Sequence, residues 1–201
     1  MPDRVSSLVS AYRPGPYGAI GATGPGLTLS ERRGLTMLLL ACFSEDRPAL
    51  SAIVHERFGL ELPNVGKAQV ANGVELLWQG PSRWLLQARE RQHPELFATL
   101  TQAAAAYPAI AVTDLSHARS VIRLSGPCGR ALLAKGCGLD LENGFNSGDC
   151  VMTRFSHYAV TLHASGADQI DLYVTRSFAL ALWEELLDLG AEYGLRVAEA
   201  G

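Results

Sequence analysis

The chain has 201 residues, of which 48% are hydrophobic and 18% charged, with a formal net charge of −3; this is the composition of a folded globular chain and excludes a disordered one. An isoelectric point near 5.9, with no basic stripe along the sequence, excludes a general nucleic-acid binder. The longest apolar run, Leu35 to Phe43 with Thr36 inside it, falls far short of the about 20 residues that cross a bilayer, and no charged start followed by an apolar core marks a secretory signal.

From the N-terminus, residues 12–26, YRPGPYGAIGATGPG, hold five Gly and three Pro, a density that sustains neither a helix nor a central strand. Residues 1–34 are therefore expected to form an extended arm outside the core. Leu8, Val9, Tyr12, Tyr17, Ile20 and Leu27 give this arm apolar anchors, which predicts that it docks on a larger partner chain. From Leu35 the run LTMLLLACF fits a buried strand. A helix follows, with Asp46 as its cap, Pro48 in its first turn and Gly59 as its stop. The stretch VELLWQGPSRWLLQA reads as a hairpin turning at Gly80-Pro81-Ser82, and alternation puts Val74, Leu76, Trp78, Trp84, Leu86 and Ala88 on one face. A helix from about Pro94 to Tyr107 and a strand containing Ile110 and Val112 complete the order β-α-β-β-α-β.

The second half repeats that order. Ile122 and Leu124 mark a strand, and SGPCGRALLAKG a short helix from Pro127 to Gly136. VMTRF, AVTLHA and IDLYVT read as strands. SFALALWEELLDLGAEYG is an amphipathic helix capped by Ser177, with Glu184, Glu185, Asp188 and Glu192 opposite Leu182, Leu186, Leu189 and Tyr193. LRV adds a closing strand. The expectation is an α+β fold: residues 35–201 as one domain of two tandem ferredoxin-like halves, about 35–115 and 116–201, with helices on one side of each antiparallel-rich sheet.

Reactive side chains gather in VTDLSHARSVIRLSGP, residues 112–127, at the joint between the halves. Asp114, Ser116 and His117 lie too close in sequence for a triad assembled from separate segments, and no nucleophile elbow is present. The structural reading is that the Asp and Ser side chains bond backbone amides where one strand hands over to the next. Arg119 and Arg123 share one face of the second strand while Ile122 faces the core. Such a pair suits a carboxylate or phosphate clamp, a solvated face or an interface patch. His157 and His163, six residues apart, would share a strand face, yet no third residue stands at metal-ligand spacing. Lys135 and Cys137 read as a helix end and a loop thiol. The four cysteines, Cys42, Cys128, Cys137 and Cys150, form no Cys-x-x-Cys pair and are expected as reduced thiols of a cytoplasmic protein.

Four segments in order, WQGPSRWLL, VTDLSHARSVIRLSGP, LLAKGCGLDLENGFNSGDC and DLYVTRSFALALWEELLD, resemble the gamma subunit family of heterotetrameric sarcosine oxidase over about residues 28–197. The chain is also similar to the folate-binding domain of the glycine-cleavage aminomethyltransferase. The resemblance implies a non-catalytic polypeptide that scaffolds an assembly with alpha, beta and delta subunits and brings no catalytic, cofactor or metal residue of its own. It further implies FAD, FMN, NAD, tetrahydrofolate and zinc on the partner chains. That complex demethylates sarcosine by oxidation to glycine, a one-carbon unit passed to tetrahydrofolate, and hydrogen peroxide. The alternative is a stand-alone folate-binding or one-carbon transfer protein that uses Asp114, Arg119 and Arg123.

Overall fold

The computed structural model describes residues 5–22 and 24–201. In chain order its elements are β1 Gly15–Tyr17, β2 Leu27–Arg32, β3 Leu35–Cys42, α1 Arg47–Phe58, β4 Ala68–Ala71, β5 Val74–Gly80, β6 Arg83–Arg89, α2 Leu96–Ala104, β7 Ile110–Asp114 and β8 Arg119–Ser125. They continue with α3 Gly129–Ala134, β9 Cys150–Phe155, β10 Tyr158–Gly166, β11 Gln169–Thr175, α4 Ala179–Gly190 and β12 Leu195–Val197. The chain divides into two units: Gly34–Ser116, and a second that joins the residues up to Arg33 with His117–Gly201. No helix among the described residues is long and apolar enough to cross a membrane.

The Gly34–Ser116 unit is a five-stranded antiparallel sheet in the order β4-β5-β6-β3-β7. Period-two alternation decides its core face: Leu38 and Leu40 of β3, Val74 and Leu76 of β5, and Trp84, Leu86 and Ala88 of β6 form one apolar cluster with Leu50, Val54 and Phe58 of α1 and Leu96 and Leu100 of α2. Trp78 pairs with Trp84 across the hairpin, and the indole N–H of Trp84 donates to the Pro63 carbonyl at 3.1 Å. Helix α1 ends at Gly59, whose φ of 68° is left-handed and whose N–H closes on the His55 carbonyl at 2.8 Å. Asp46 stands at the N-cap position, but its side chain makes no capping bond; a short 3₁₀ turn over Ser44–Asp46 leads into the helix instead.

The second unit carries a seven-stranded sheet in the order β1-β12-β2-β8-β11-β10-β9, antiparallel except for the parallel pair β12–β2. One face is apolar: Leu27 and Leu29 of β2, Ile122 and Leu124 of β8, Leu172 and Val174 of β11, and Val160 and Leu162 of β10 cluster with Leu132 and Leu133 of α3 and Leu182, Trp183 and Leu186 of α4. Helix α4 begins after a 3₁₀ turn over Arg176–Phe178, so Ser177 lies inside that turn and does not cap the helix. At Gly190 a Cβ would lie 2.5 Å from Leu195 Cδ1 and 3.0 Å from Leu132 Cδ1; the helix end lies this close to the sheet because no side chain intervenes.

The expected arm is where the structure departs from the sequence reading. Of residues 1–34, residues 1–4 and 23 lie outside the described residues, and the rest is not an arm outside the core. Strand β2 sits between β8 and β12, inside the sheet, and Leu8, Tyr12, Leu27 and Leu29 belong to its core cluster. The Tyr12 ring stacks on Trp183 with centroids 5.0 Å apart, and its hydroxyl donates to the Ala198 carbonyl at 2.7 Å while accepting the Glu31 N–H at 3.1 Å. Ser6 donates to both carboxylate oxygens of the buried Glu31, at 2.5 and 2.7 Å, and the Arg33 guanidinium lies 2.6 Å from the same group. The Gly/Pro run limits secondary structure to the three residues of β1 between Arg13 and Gly18, but the flanking apolar side chains still find the core. Of the six apolar anchors, Leu8, Tyr12 and Leu27 are buried and Tyr17 packs against the second unit's own core, which leaves Val9 and Ile20 as the exposed ones.

Two predictions follow from that placement. Leu8→Ala is expected to lower unfolding stability by about 2–5 kcal/mol in denaturant titrations, as for a fully buried leucine; a docking arm would leave stability unchanged. Burial raises the Tyr12 pKa above its ordinary value, so folding favours the neutral phenol. This contribution is full below the unfolded-state value near 10 and declines as pH rises through it towards the higher folded value. Denaturant titrations across that range should show Tyr12→Phe losing less stability with rising pH than the parent chain.

Candidate functional site

The joint at residues 112–127 resolves into backbone bonds. Strand β7 ends in a turn in which Asp114 Oδ1 accepts the Ser116 N–H at 2.8 Å. The Ser116 hydroxyl oxygen accepts the Met37 N–H at 2.9 Å, and the Leu115 N–H donates to the Met37 carbonyl at 2.8 Å. Asp114 and His117 are both exposed. Asp114 and Ser116 thus tie down the end of a strand, as small polar side chains do at such handovers, and no relay runs from them to His117.

The strongest polar constellation lies on the second face of the seven-stranded sheet. Register sets Asp171 opposite Arg123, with Ser30 on the far side of Arg123. The Arg123 Nε lies 2.7 Å from Asp171 Oδ1 and its Nη2 2.9 Å from Oδ2, a bidentate fork. Arg32, from β2, reaches the same Oδ2 at 2.7 Å. The Asp171 side chain is fully buried, Arg32 nearly so and Arg123 about three-quarters. One carboxylate therefore takes three charge-assisted bonds from two guanidinium groups. Removing a carboxylate from such a set leaves buried positive charge uncompensated. Chemically the cluster is closed: the fork that would clamp a ligand's carboxylate is spent on Asp171.

The other candidates are dispersed. Arg119 and Arg123 do share the sheet face opposite Ile122, but Arg119 sits four residues along β8, half-buried, with no ion pair or hydrogen bond among the described residues. Burial alone pulls its pKa below the usual guanidinium value. Asp114 belongs to the other unit. His157 does not share a strand face with His163: it is exposed in the turn between β9 and β10, whereas His163 is buried within β10. Lys135 turns towards the end of α4, where it pairs with Glu192, donates to the Leu189 carbonyl at 2.9 Å and lies 4.7 Å from the centre of the Tyr193 ring. Cys137 points into the core, 3.8 Å from the Thr153 hydroxyl, so the two are not an active pair. All four cysteines are free thiols. In the Gly34–Ser116 unit a cleft of ≈ 370 Å³ opens beside Arg57, Gln92, His93 and Glu95, and its imidazole is turned towards the Asn72 carbonyl at 3.2 Å.

Sequence reasoning missed Asp171 and Arg32. Asp171 had a visible signal: a lone carboxylate in the apolar strand IDLYVT, on the face opposite Ile170, Leu172 and Val174. Arg32 had none, because its strand lay inside the segment read as an arm.

The fold is α+β and aminomethyltransferase-like. The glycine cleavage system aminomethyltransferase T from Bartonella henselae superposes with a TM-score of 0.68 over 96% of this chain and 57% of that one, at 18% identity. The family is more specific: the model of the sarcosine oxidase, gamma subunit family matches residues 44–192, and the chain belongs to that family. Relatives include the sarcosine oxidase subunit gamma of Corynebacterium sp. (strain P-1), 33% identical over 145 residues, 71% of this chain and 70% of the relative. The same subunit of Corynebacterium sp. (strain U-96) is 32% identical over 123 residues, an alignment that covers 61% of this chain and 58% of the relative's length. A chain of the heterotetrameric sarcosine oxidase from Corynebacterium sp. U-96, solved in complex with pyrrole 2-carboxylate, superposes with a TM-score of 0.76 at 31% identity over 88% of each chain.

With its three charge-assisted bonds removed, Asp171→Ala is expected to cost about 3–5 kcal/mol of unfolding free energy in a denaturant titration. Arg123→Lys, which keeps the charge and gives up the fork, costs less.

Proposed function

We propose that this chain is a non-catalytic gamma subunit that scaffolds a cytoplasmic heterotetrameric sarcosine oxidase with alpha, beta and delta chains. The observation that carries the reading is the superposition on a chain of such an enzyme over 88% of both lengths at 31% identity. In this reading the complex oxidatively demethylates sarcosine to glycine, passes a one-carbon unit to tetrahydrofolate and releases hydrogen peroxide. FAD, FMN, NAD, tetrahydrofolate and zinc are held by the partner chains. The closed Arg32–Asp171–Arg123 cluster supports a structural role, since the side chains best suited to a ligand's carboxylate are engaged within the chain.

The same reading takes each unit as a ferredoxin-like repeat. Numbered within its own βαββαβ series, the first unit reads 2-3-1-4 across β5, β6, β3 and β7, with β4 added at the edge beside β5. The second reads 4-1-3-2 across β12, β8, β11 and β10, with β2 inserted between 4 and 1 and with β1 and β9 added at the edges.

The test is co-expression of the tagged chain with the alpha, beta and delta subunits, followed by affinity purification and titration of the isolated chain with tetrahydrofolate. The expected result is a stoichiometric complex with sarcosine-dependent peroxide release, and no saturable folate binding by the chain alone. Micromolar folate binding by the chain alone, lost in Arg119→Ala, would instead favour the stand-alone folate-binding protein on Asp114, Arg119 and Arg123.

A further inference from the structure

The second unit's sheet has an end that its own chemistry leaves incomplete. Ser120, Val174, Val160 and Thr153 stand side by side across β8, β11, β10 and β9. The residues one step further along, Arg119, Thr175, Ala159 and Arg154, therefore form the last row on the opposite face. One row inward on that same face are Val121, Tyr173, Thr161 and Met152. Thr175, Ala159 and Arg154 are exposed, Arg119 is half-buried, and Met152 is 52% exposed. Two arginines thus flank two small residues, with three strand spacings between them, about 14 Å at about 4.8 Å per strand.

Among the described residues no hydrogen bond or ion pair reaches the guanidinium of Arg119 or of Arg154. Nearby, Arg176 donates to the Val5 carbonyl at 2.6 Å, the exposed His157 occupies the β9–β10 turn, and Glu185 accepts from the Ser156 hydroxyl. Within a chain of net charge −3, the described cationic groups here, Arg119, Arg154 and Arg176, outnumber the one described acid named beside them, Glu185. A guanidinium stays charged at accessible pH, and holding one half-buried with no counter-charge is unfavourable unless something else supplies it. The contrast with Arg123, whose carboxylate comes from the neighbouring strand, shows that the same sheet neutralises an arginine where a fold-internal acid is available.

We infer that this row is a docking surface for an extended acidic segment of a partner subunit, whose carboxylates pair with Arg119 and Arg154. The segment crosses the sheet end over Ala159 and Thr175, whose small side chains leave it room, and an apolar residue beside it covers Met152. In an extended chain rising about 3.3–3.6 Å per residue, side chains four residues apart point the same way and span the gap between the two arginines. Opposite charges so placed set the register and the rate of association. The identity of the partner as another chain of the oxidase rests on the proposed function.

The test uses the tagged full-length chain co-expressed with the alpha, beta and delta subunits. Arg154→Glu and the double reversal Arg119→Glu/Arg154→Glu are compared with the parent for melting temperature and for retention of the complex in about 150 mM salt. Arg154→Glu lies at an exposed position and is expected to melt as the parent does, with retention reduced several-fold; the double reversal should reduce it at least about tenfold. Arg119→Lys/Arg154→Lys should keep the complex, and carbodiimide treatment should then join position 119 or 154 to a partner Asp or Glu, identified by mass spectrometry. Parental retention of Arg154→Glu and the double reversal, or an intact lysine-variant complex without such a cross-link, overturns the docking row while leaving the proposed function standing. Saturable sulfate binding by the isolated chain that both reversals abolish, with the complex intact, assigns the row to a small anion and also overturns it. Failure of the parent chain to co-purify with any oxidase subunit overturns the proposed function and the choice of partner together.

Discussion

Strand β2 is the constraint on which the second unit rests. It donates and accepts backbone bonds on both edges, antiparallel to β8 and parallel to β12, so without it neither strand has a neighbour on that side. Six residues that follow directly on a glycine- and proline-rich run thereby hold the closing strand β12 in the sheet, and β12 in turn holds β1. Buried backbone N–H and C=O groups must be paired, which makes this insertion obligatory for the unit as it stands. The side chains of β2 serve both faces at once: Leu27 and Leu29 enter the apolar core, and Arg32 reaches Asp171 on the other side.

The two faces of that sheet follow different physics. The helix-covered face is built by apolar burial and tolerates close approach, as at Gly190. The opposite face holds charge. Where Asp171 is available the guanidinium groups of Arg32 and Arg123 share a fold-internal acid and become structural; four residues along β8, at Arg119, no such acid stands among the described residues. Position along one strand thus separates an arginine that the fold consumes from one that it leaves available. This distinction matters for a family whose relatives are named as subunits, because a subunit needs both an internally satisfied scaffold and surfaces that remain to be satisfied.

The polar joint at residues 112–127 belongs to the first kind. Asp114 and Ser116 are short side chains that end a strand by bonding backbone N–H groups, and their density of reactive atoms is a consequence of that task. Lys135 and Cys137 separate in the same way, one towards a helix terminus and the other into the core, although they are two residues apart in sequence.

Local pattern in the sequence alone determined much of this protein. Alternation marked β5 and β6 and their shared core face, Gly59 marked the end of α1, and the run of apolar residues at helical spacing marked α4, because these signals arise from neighbours within a few positions. Four motifs in order carried the family. The role of residues 5–33 was not legible: composition reports that YRPGPYGAIGATGPG cannot propagate regular structure, but not that Leu8, Tyr12 and β2 on either side of it are drawn into a core made by residues more than ninety positions later. The candidate site divided along the same line. That Arg119 and Arg123 share a face followed from period two, but that Arg123 is neutralised and Arg119 is not depended on Asp171, 48 residues away along the chain. Only the tertiary structure decides such pairings, because strand order and register, which bring distant residues face to face, leave no trace in the spacing of the residues they join.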